Sequence, residues 1–370
     1  MPRGGRDGCR LVREIRCRLV RLLPRRGAGI LRPQRRPATS HPQRQACAGR
    51  RWAATSIVMS MRTLTTTRLR PFEVAPPRVI KTSDLRADHL RRGARTVHRG
   101  RAVLPNPLAS TDRRTADMLD LVAAIASRSP EQQWFCFEAA AVVWGCDTVS
   151  LGEHVDINQR FAQRRGADHR IRRHHSVIPS DQLAEVDGIP VTTLARTVVD
   201  CARSLPGRRA LVIADSAVRQ GVAVPDLQVV LESLGGRRGV RPARDLLRLA
   251  DGGAESPGET LTRWALIDQG LPVPSTQVQV LTALGLRYGD IGWPDLRVLV
   301  EFDGRLKYSE RYTADPVAAV VDEKRRQEAM EDAGWIVVRV MWEDLHHPGR
   351  LAARVRAAFA RARRLGLASR

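Results

Sequence analysis

Aromatic residues are scarce: they make up 4% of the 370 residues, with three Tyr in all. A core must therefore be built from Leu, Val, Ile and Ala, and the length allows one of good size spread over roughly two or three domains. Paired cysteine is missing as well. The six cysteines, at positions 9, 17, 47, 136, 146 and 201, form no C-x-x-C pair and have no histidine at zinc spacing, which argues against a zinc module or a disulfide framework and predicts free thiols in a reducing compartment. No apolar run approaches the roughly 18 residues needed to cross a bilayer. The Arg-rich start lacks the apolar stretch of a secretory leader, because Arg21 and Pro24 break Leu19-Val20 and Leu22-Leu23. A cytoplasmic protein without membrane contact is expected.

Acidic residues are few where basic ones are many. The net charge is +23, but Met1 to Arg62 hold 16 Arg against only Asp7 and Glu14, so the rest of the chain carries about +9, which permits a polyanionic partner without requiring one. Residues 1–61 read as a disordered Arg-rich extension. They are either a basic arm for nucleic acid or, the reading preferred here, sequence upstream of a start at Met59 or Met61.

Residues 62–108 read as a partial winged-helix unit. Ser83 or Asp84 can cap a short helix with Leu85 and Leu90 on one face, Gly93 can end it, and 96–104 reads as a hairpin. Arg70-Pro71 and Pro76-Pro77 interrupt the earlier helices of a full module. A mostly helical segment is expected over 109–250. It includes an amphipathic helix over 111–127 burying Met118, Leu119, Val122 and Ile125, a second helix over 137–144, and a helix after Thr192 or Thr193 in which Arg196 and Asp200 pair. His169, His174 and His175 fall in a basic stretch that reads as a solvated strand rather than a metal site, since adjacent residues of a strand face opposite ways.

Residues 255–370 differ. Ser256 and Glu259 form a capping box before a helix that ends at Gly270. A strand over 278–284, a hairpin, a helix over 317–333, a strand over 335–341 and a basic helix over 350–365 follow, in the order αβββαβα, so an α/β domain with mixed strand pairing is expected. The hairpin spans Y-G-D-I-G-W-P-D-L-R-V-L-V-E-F-D-G-R-L-K. With Pro294-Asp295 as turn centre, Asp290 lies opposite Leu299, and Asp290, Glu301 and Asp303 share one face, the first two as diagonal neighbours roughly 7–8 Å apart. Two such carboxylates can clamp one hard cation such as Mg²⁺ or Mn²⁺. A single acid beside Gly is more often turn chemistry, which is the plainer reading for Asp295 and Asp303.

The segments S-P-G-E-T-L-T-R-W, G-L-P-V-P, the hairpin, and E-K-R-R-Q-E-A-M-E-D-A-G-W-I-V-V-R-V-M-W-E-D-L resemble the domain of unknown function 559. That family is similar to the very-short-patch repair endonucleases of the PD-(D/E)XK restriction-endonuclease-like superfamily. L-R-R-G-A-R-T-V-H-R-G-R, E-A-A-A-V-V-W-G and I-P-V-T-T-L-A-R-T-V-V-D resemble AbiEi-type antitoxin-like regions of actinobacterial proteins. The resemblance implies a restriction-endonuclease-like αβββαβ fold, with Glu259 as the acid of the first helix, Asp290 and Glu301 as metal-binding acids, and Asp303 where the superfamily has a lysine. Lys307 or Lys324 would then supply the missing charge. Arg305, Arg311, Arg325 and Arg326 would be candidates for phosphate contacts. The implied activity is Mg²⁺-dependent hydrolysis of nucleic acid, DNA before RNA. The alternative is an inactive nuclease fold acting as an antitoxin-like DNA-binding module, with a toxin or other protein as partner.

Overall fold

The computed structural model describes residues 78–104, 112–128, 133–160, 168–304 and 316–367. The expected 1–61 extension and the two proline breaks that follow it lie outside them. Within the described residues the chain is a mixed α/β protein with three sheets.

The first sheet is small. Strands β1 (Val79–Lys81), β2 (Arg95–His98) and β3 (Arg101–Val103) pair antiparallel in the order β1-β3-β2. The expected hairpin is present, and Gly100 supplies the left-handed residue of its turn (φ 69°). The expected cap is corrected. Thr82–Asp84 form a 3-10 turn of their own, and helix α1 (Ala87–Arg91) begins after Arg86, whose N–H donates to His89 Nδ1 at 3.2 Å. Helix α2 (Arg113–Ala126) starts where Asp112 accepts from the N–H groups of Arg114 and Thr115. Its Met118, Leu121, Val122 and Ile125 pack with Val97 and Val103, which docks the small sheet.

Residues 109–250 hold more helix than strand, yet five strands among them, of which the basic one was expected, form a sheet that the sequence reading did not assemble. These are β4 (Gln133–Phe135), β5 (Val155–Gln159), β6 (Ile171–His174), β7 (Leu183–Val186) and β8 (Ile189–Thr192), in the order β6-β5-β4-β8-β7. Between them lies α3 (Phe137–Val143). Asp187-Gly188, both at positive φ, turn β7 into β8, the backbone that a two-residue hairpin with the sheet's twist requires. The basic β6 is a partly exposed edge strand, as expected, but its side chains are also paired. Arg172 donates to both oxygens of the buried Asp156, at 2.6 and 2.8 Å, and His174 Nε2 lies 2.6 Å from one of them. Residues two apart share a face, and β5 runs parallel beside β6 with Asp156 next to Arg172, so both side chains meet one carboxylate.

Helices α4 (Leu194–Ser204), α5 (Gly207–Arg219), α6 (Val224–Ser233) and α7 (Val240–Leu247) surround an aliphatic core. Arg196 and Asp200 pair at 2.7 Å, as the spacing predicts, but in the interior, where Gln182 also accepts from the guanidinium. The three described cysteines, Cys136, Cys146 and Cys201, are buried free thiols. Burial pushes all three up, Cys146 to about 12, which makes them poor nucleophiles.

The last unit follows the expected order. Helix α8 (Pro257–Asp268), strands β9 (Ser275–Thr282), β10 (Gly285–Trp293) and β11 (Val298–Phe302), helix α9 (Pro316–Asp332), strand β12 (Ile336–Val340) and helix α10 (Pro348–Arg364) build a sheet ordered β12-β11-β10-β9. The pairing is mixed: β11 runs parallel to β12 and antiparallel to β10. Ile291, Trp293, Val298, Val300 and Phe302 point to the face covered by α8 and α10, while Leu299, Val278 and Val280 meet Met330 of α9 on the other. Helix α8 belongs to two cores. Ala265 and Leu266 pack on the sheet, and Trp264 and Ile267 pack among α4–α7. Between those cores the fully buried Asp215 of α5 accepts from Arg263 at 2.6 and 2.8 Å, from Thr260 Oγ1 at 2.8 Å and from the Asp251 N–H at 2.9 Å. The boundary expected near 255 is thus a turn between two units that share a helix.

Candidate functional site

The hairpin that carries the acids is built on a longer turn than Pro294-Asp295 alone. Pro294–Leu296 form a 3-10 turn and Arg297 takes the left-handed region (φ 50°), so Trp293 pairs with Val298 and Gly292 with Leu299. Gly292, not Asp290, stands opposite Leu299. The pairing ends at Ile291 with Val300, and Asp290 and Glu301 are the next residue on each strand, closer to direct neighbours than to the wider diagonal. The slip is two residues, an even number, so it leaves unchanged which side chains share a face.

Each acid has partners. Asp290 Oδ2 accepts the Phe302 N–H at 2.7 Å, tying the middle of β10 to the end of β11. Glu301 is 4% exposed, and its Oε2 takes Arg326 Nη2 of α9 at 2.8 Å. Arg326 Nη1 donates to the Tyr288 carbonyl on β10 at 3.0 Å. Beyond the strand end, Asp303 lies 3.8 Å from Arg339 Nη1, whose residue sits beside Glu301 on β12. A buried carboxylate without such partners would cost several kcal/mol.

Of the expected cations, Arg326 lies beside the carboxylates and Lys324 and Arg325 do not. Lys324 turns outward to Glu328 at 3.6 Å and is 77% exposed, and Arg325 pairs with Asp322 on the helix surface. Lys307, Arg305 and Arg311 lie outside the described residues. The described groups beside the carboxylates are Arg326 and Arg339. Arg339 escaped the sequence reading, although a single arginine inside the apolar run W-I-V-V-R-V-M was a signal for it. Glu259 is buried at the start of α8, taking the Ser256 hydroxyl at 2.7 Å and the Glu255 N–H at 2.8 Å. Its helix approaches β11 from the Phe302 face, so closely that a Cβ on Gly258 would lie 1.9 Å from the Phe302 ring. Glu301 points to the α9 face instead.

Among the described residues no three His, Cys, Asp or Glu side chains gather round one point. Asp290 and Glu301 are nevertheless donors of the right kind for a hard divalent cation. Mg²⁺ is commonly held by one or two carboxylates, with water and phosphate filling the other positions, so these residues fit it as a partial ligand set.

A second charged cluster joins the small sheet to β6. Asp168 takes Arg170 at 2.8 Å and His98 Nδ1 at 3.2 Å. The Arg170 guanidinium holds the Asp168 carboxyl well below the usual carboxylate range. Burial lowers His98 by more than its share of that carboxylate raises it. A cavity of about 330 Å³ lies alongside, lined by Arg95, Arg114, Arg170, Met118 and Val155 among others. Arg95 there pairs with Asp117 and Asp120.

Among the described residues no helix is long and apolar enough to cross a membrane. No family model matches the chain, and no solved structure does. Two Mycobacterium tuberculosis proteins, Uncharacterized protein MT2308 of strain CDC 1551 / Oshkosh and Uncharacterized protein Rv2248 of strain ATCC 25618 / H37Rv, are each 33% identical to it over 255 residues. The match covers 68% of this chain and 90% of theirs. With that identity across nine-tenths of their length, the chain belongs to the family of these two mycobacterial proteins.

Proposed function

We propose that this protein is a metal-dependent endonuclease that hydrolyses phosphodiester bonds in nucleic acid, with DNA as substrate, and that its last αβββαβα unit is of the restriction-endonuclease-like kind. The observation that supports the reading is that Asp290 of β10 and the buried Glu301 of β11 are the next residues beyond the last pair, Ile291 with Val300, of two neighbouring strands. Asp290 and Glu301 would hold Mg²⁺ or Mn²⁺, which supplies a polarised phosphate and an activated water. Asp303 stands one step further as a third ligand or as base for that water. Arg326 and Arg339 would receive the phosphate, positioning it without reading sequence.

One observation favours a second reading, an inactive nuclease fold used as an antitoxin-like or regulatory DNA-binding module. Asp290, Glu301 and Glu259 all have protein partners already, as they would in a scaffold. The two readings part in one experiment: titration of Mg²⁺ and Mn²⁺ by calorimetry into wild type, Asp290→Ala and Glu301→Ala, with plasmid and single-stranded DNA cleavage in parallel. The nuclease reading expects millimolar or tighter binding and nicking, both lost in either variant. Absence of metal binding and of cleavage, with DNA binding retained, selects the scaffold.

A further inference from the structure

We infer that Arg326 is an exchangeable cation. In the unliganded protein it neutralises Glu301. On metal binding it yields that carboxylate and turns to a phosphodiester oxygen, so metal and nucleic acid bind cooperatively. The inference rests on the metal-dependent reading above and deepens it.

Three observations converge on this residue. The guanidinium is anchored to β10 and β11 at once, through the Tyr288 carbonyl and Glu301, so it lies over the same pair of strands that carries the two acids. Its side chain is 28% exposed, against 1% for Arg263 in the pair with Asp215. Its own charge can therefore turn onto a ligand without entering an apolar interior, provided a metal takes its place on the buried Glu301. Lys324, the alternative on the same helix, faces away.

The exchange follows from the charges. A divalent ion on Glu301 would sit within a few ångströms of a guanidinium that shares the same carboxylate, and the two cations repel. Metal binding without substrate must therefore displace Arg326 and lose affinity in doing so. A phosphodiester gives the displaced guanidinium two oxygens at which its planar fork forms charge-assisted hydrogen bonds. Each ligand then tightens the other by the same factor.

The test uses the full chain. Mn²⁺ is titrated by calorimetry into wild type, R326Q, R326K and E301Q, alone and with a short phosphorothioate DNA duplex, and thermal unfolding is followed with and without Mn²⁺. Alone, R326Q should bind Mn²⁺ about tenfold more tightly than wild type, and the tightening by duplex seen in wild type should vanish. Mn²⁺ should also raise the melting temperature of R326Q more than that of wild type. If R326Q does not fold, R326K carries the test. A lysine cannot hold Glu301 and the Tyr288 carbonyl together, so it should tighten Mn²⁺ binding by a smaller factor. Equal affinity in wild type and variants would make the pair purely structural and overturn the exchange while leaving the metal reading intact. Lack of Mn²⁺ binding by any of the proteins except through E301Q-insensitive sites would remove the metal reading, and the exchange with it.

Discussion

Two buried carboxylates in this molecule meet arginines from neighbouring helices, and they do so on different terms. Asp215 and Arg263 are 0% and 1% exposed, and Asp215 also takes Thr260 and the Asp251 N–H. Glu301 is nearly as withdrawn, at 4% exposed, but its Arg326 reaches solvent. The first pair closes the joint between the α4–α7 core and the sheet and cannot open without stranding a charge. The second sits where the pairing of β10 with β11 ends, with its arginine within reach of a ligand. Burial of one partner is common to both; accessibility of the other separates a structural pair from one available to chemistry.

The comparison makes measurable claims. Asp215→Asn removes the charge while keeping the shape and leaves Arg263 buried, so it should cost about 3–5 kcal/mol in denaturant unfolding. Glu301→Gln leaves Arg326 free to find water and should cost about 1 kcal/mol or less. Comparable losses in the two variants would abolish the distinction. Gly258→Ala tests how closely α8 is seated on β11. Its new methyl meets the Phe302 ring, and the strain should cost about 1–3 kcal/mol, read from the shift of the unfolding midpoint. Ser256→Ala removes the cap of the same helix and should cost about 1 kcal/mol.

The smallest expected effect concerns pH and the junction of the small sheet with β6. His98 is lowered in the fold by burial. The unfolded chain therefore binds the extra proton first, and stability contributed by neutral His98 is present above the ordinary histidine value of about 6.5 and lost as pH falls below it. Asp168 is also lowered, through Arg170. Its contribution is present above the ordinary carboxylate value of about 3.9 and is lost as pH falls towards the folded one. Melting temperature against pH should show both declines, and His98→Gln should remove only the upper. A variant that keeps both would show that this junction does not titrate with folding.

Much of the last unit was legible in the chain. Apolar periodicity, the Ser256 cap and the glycine stops gave the order αβββαβα, and alternation placed Glu301 and Asp303 on one side of β11. Register was not legible, because Pro294-Asp295 fits a short turn as well as the four-residue turn observed, and only the pairing of Trp293 with Val298 distinguishes them. The five-stranded sheet was hidden for another reason. Its strands are three to five residues long, too short for a period to outweigh the helices around them.

The sequence by itself determined which elements form in the last unit, where α8 begins, which acids lie on the hairpin and how basic the chain is, since these depend on neighbours within a turn or two. Tertiary structure alone decided which cation meets which acid. Arg326 and Arg339 reach Glu301 and Asp303 from α9 and β12, while Lys324 turns away, and Arg263 finds Asp215 across 48 positions of chain. Such pairings are set by how sheets and helices pack over long separations, and no local pattern encodes them.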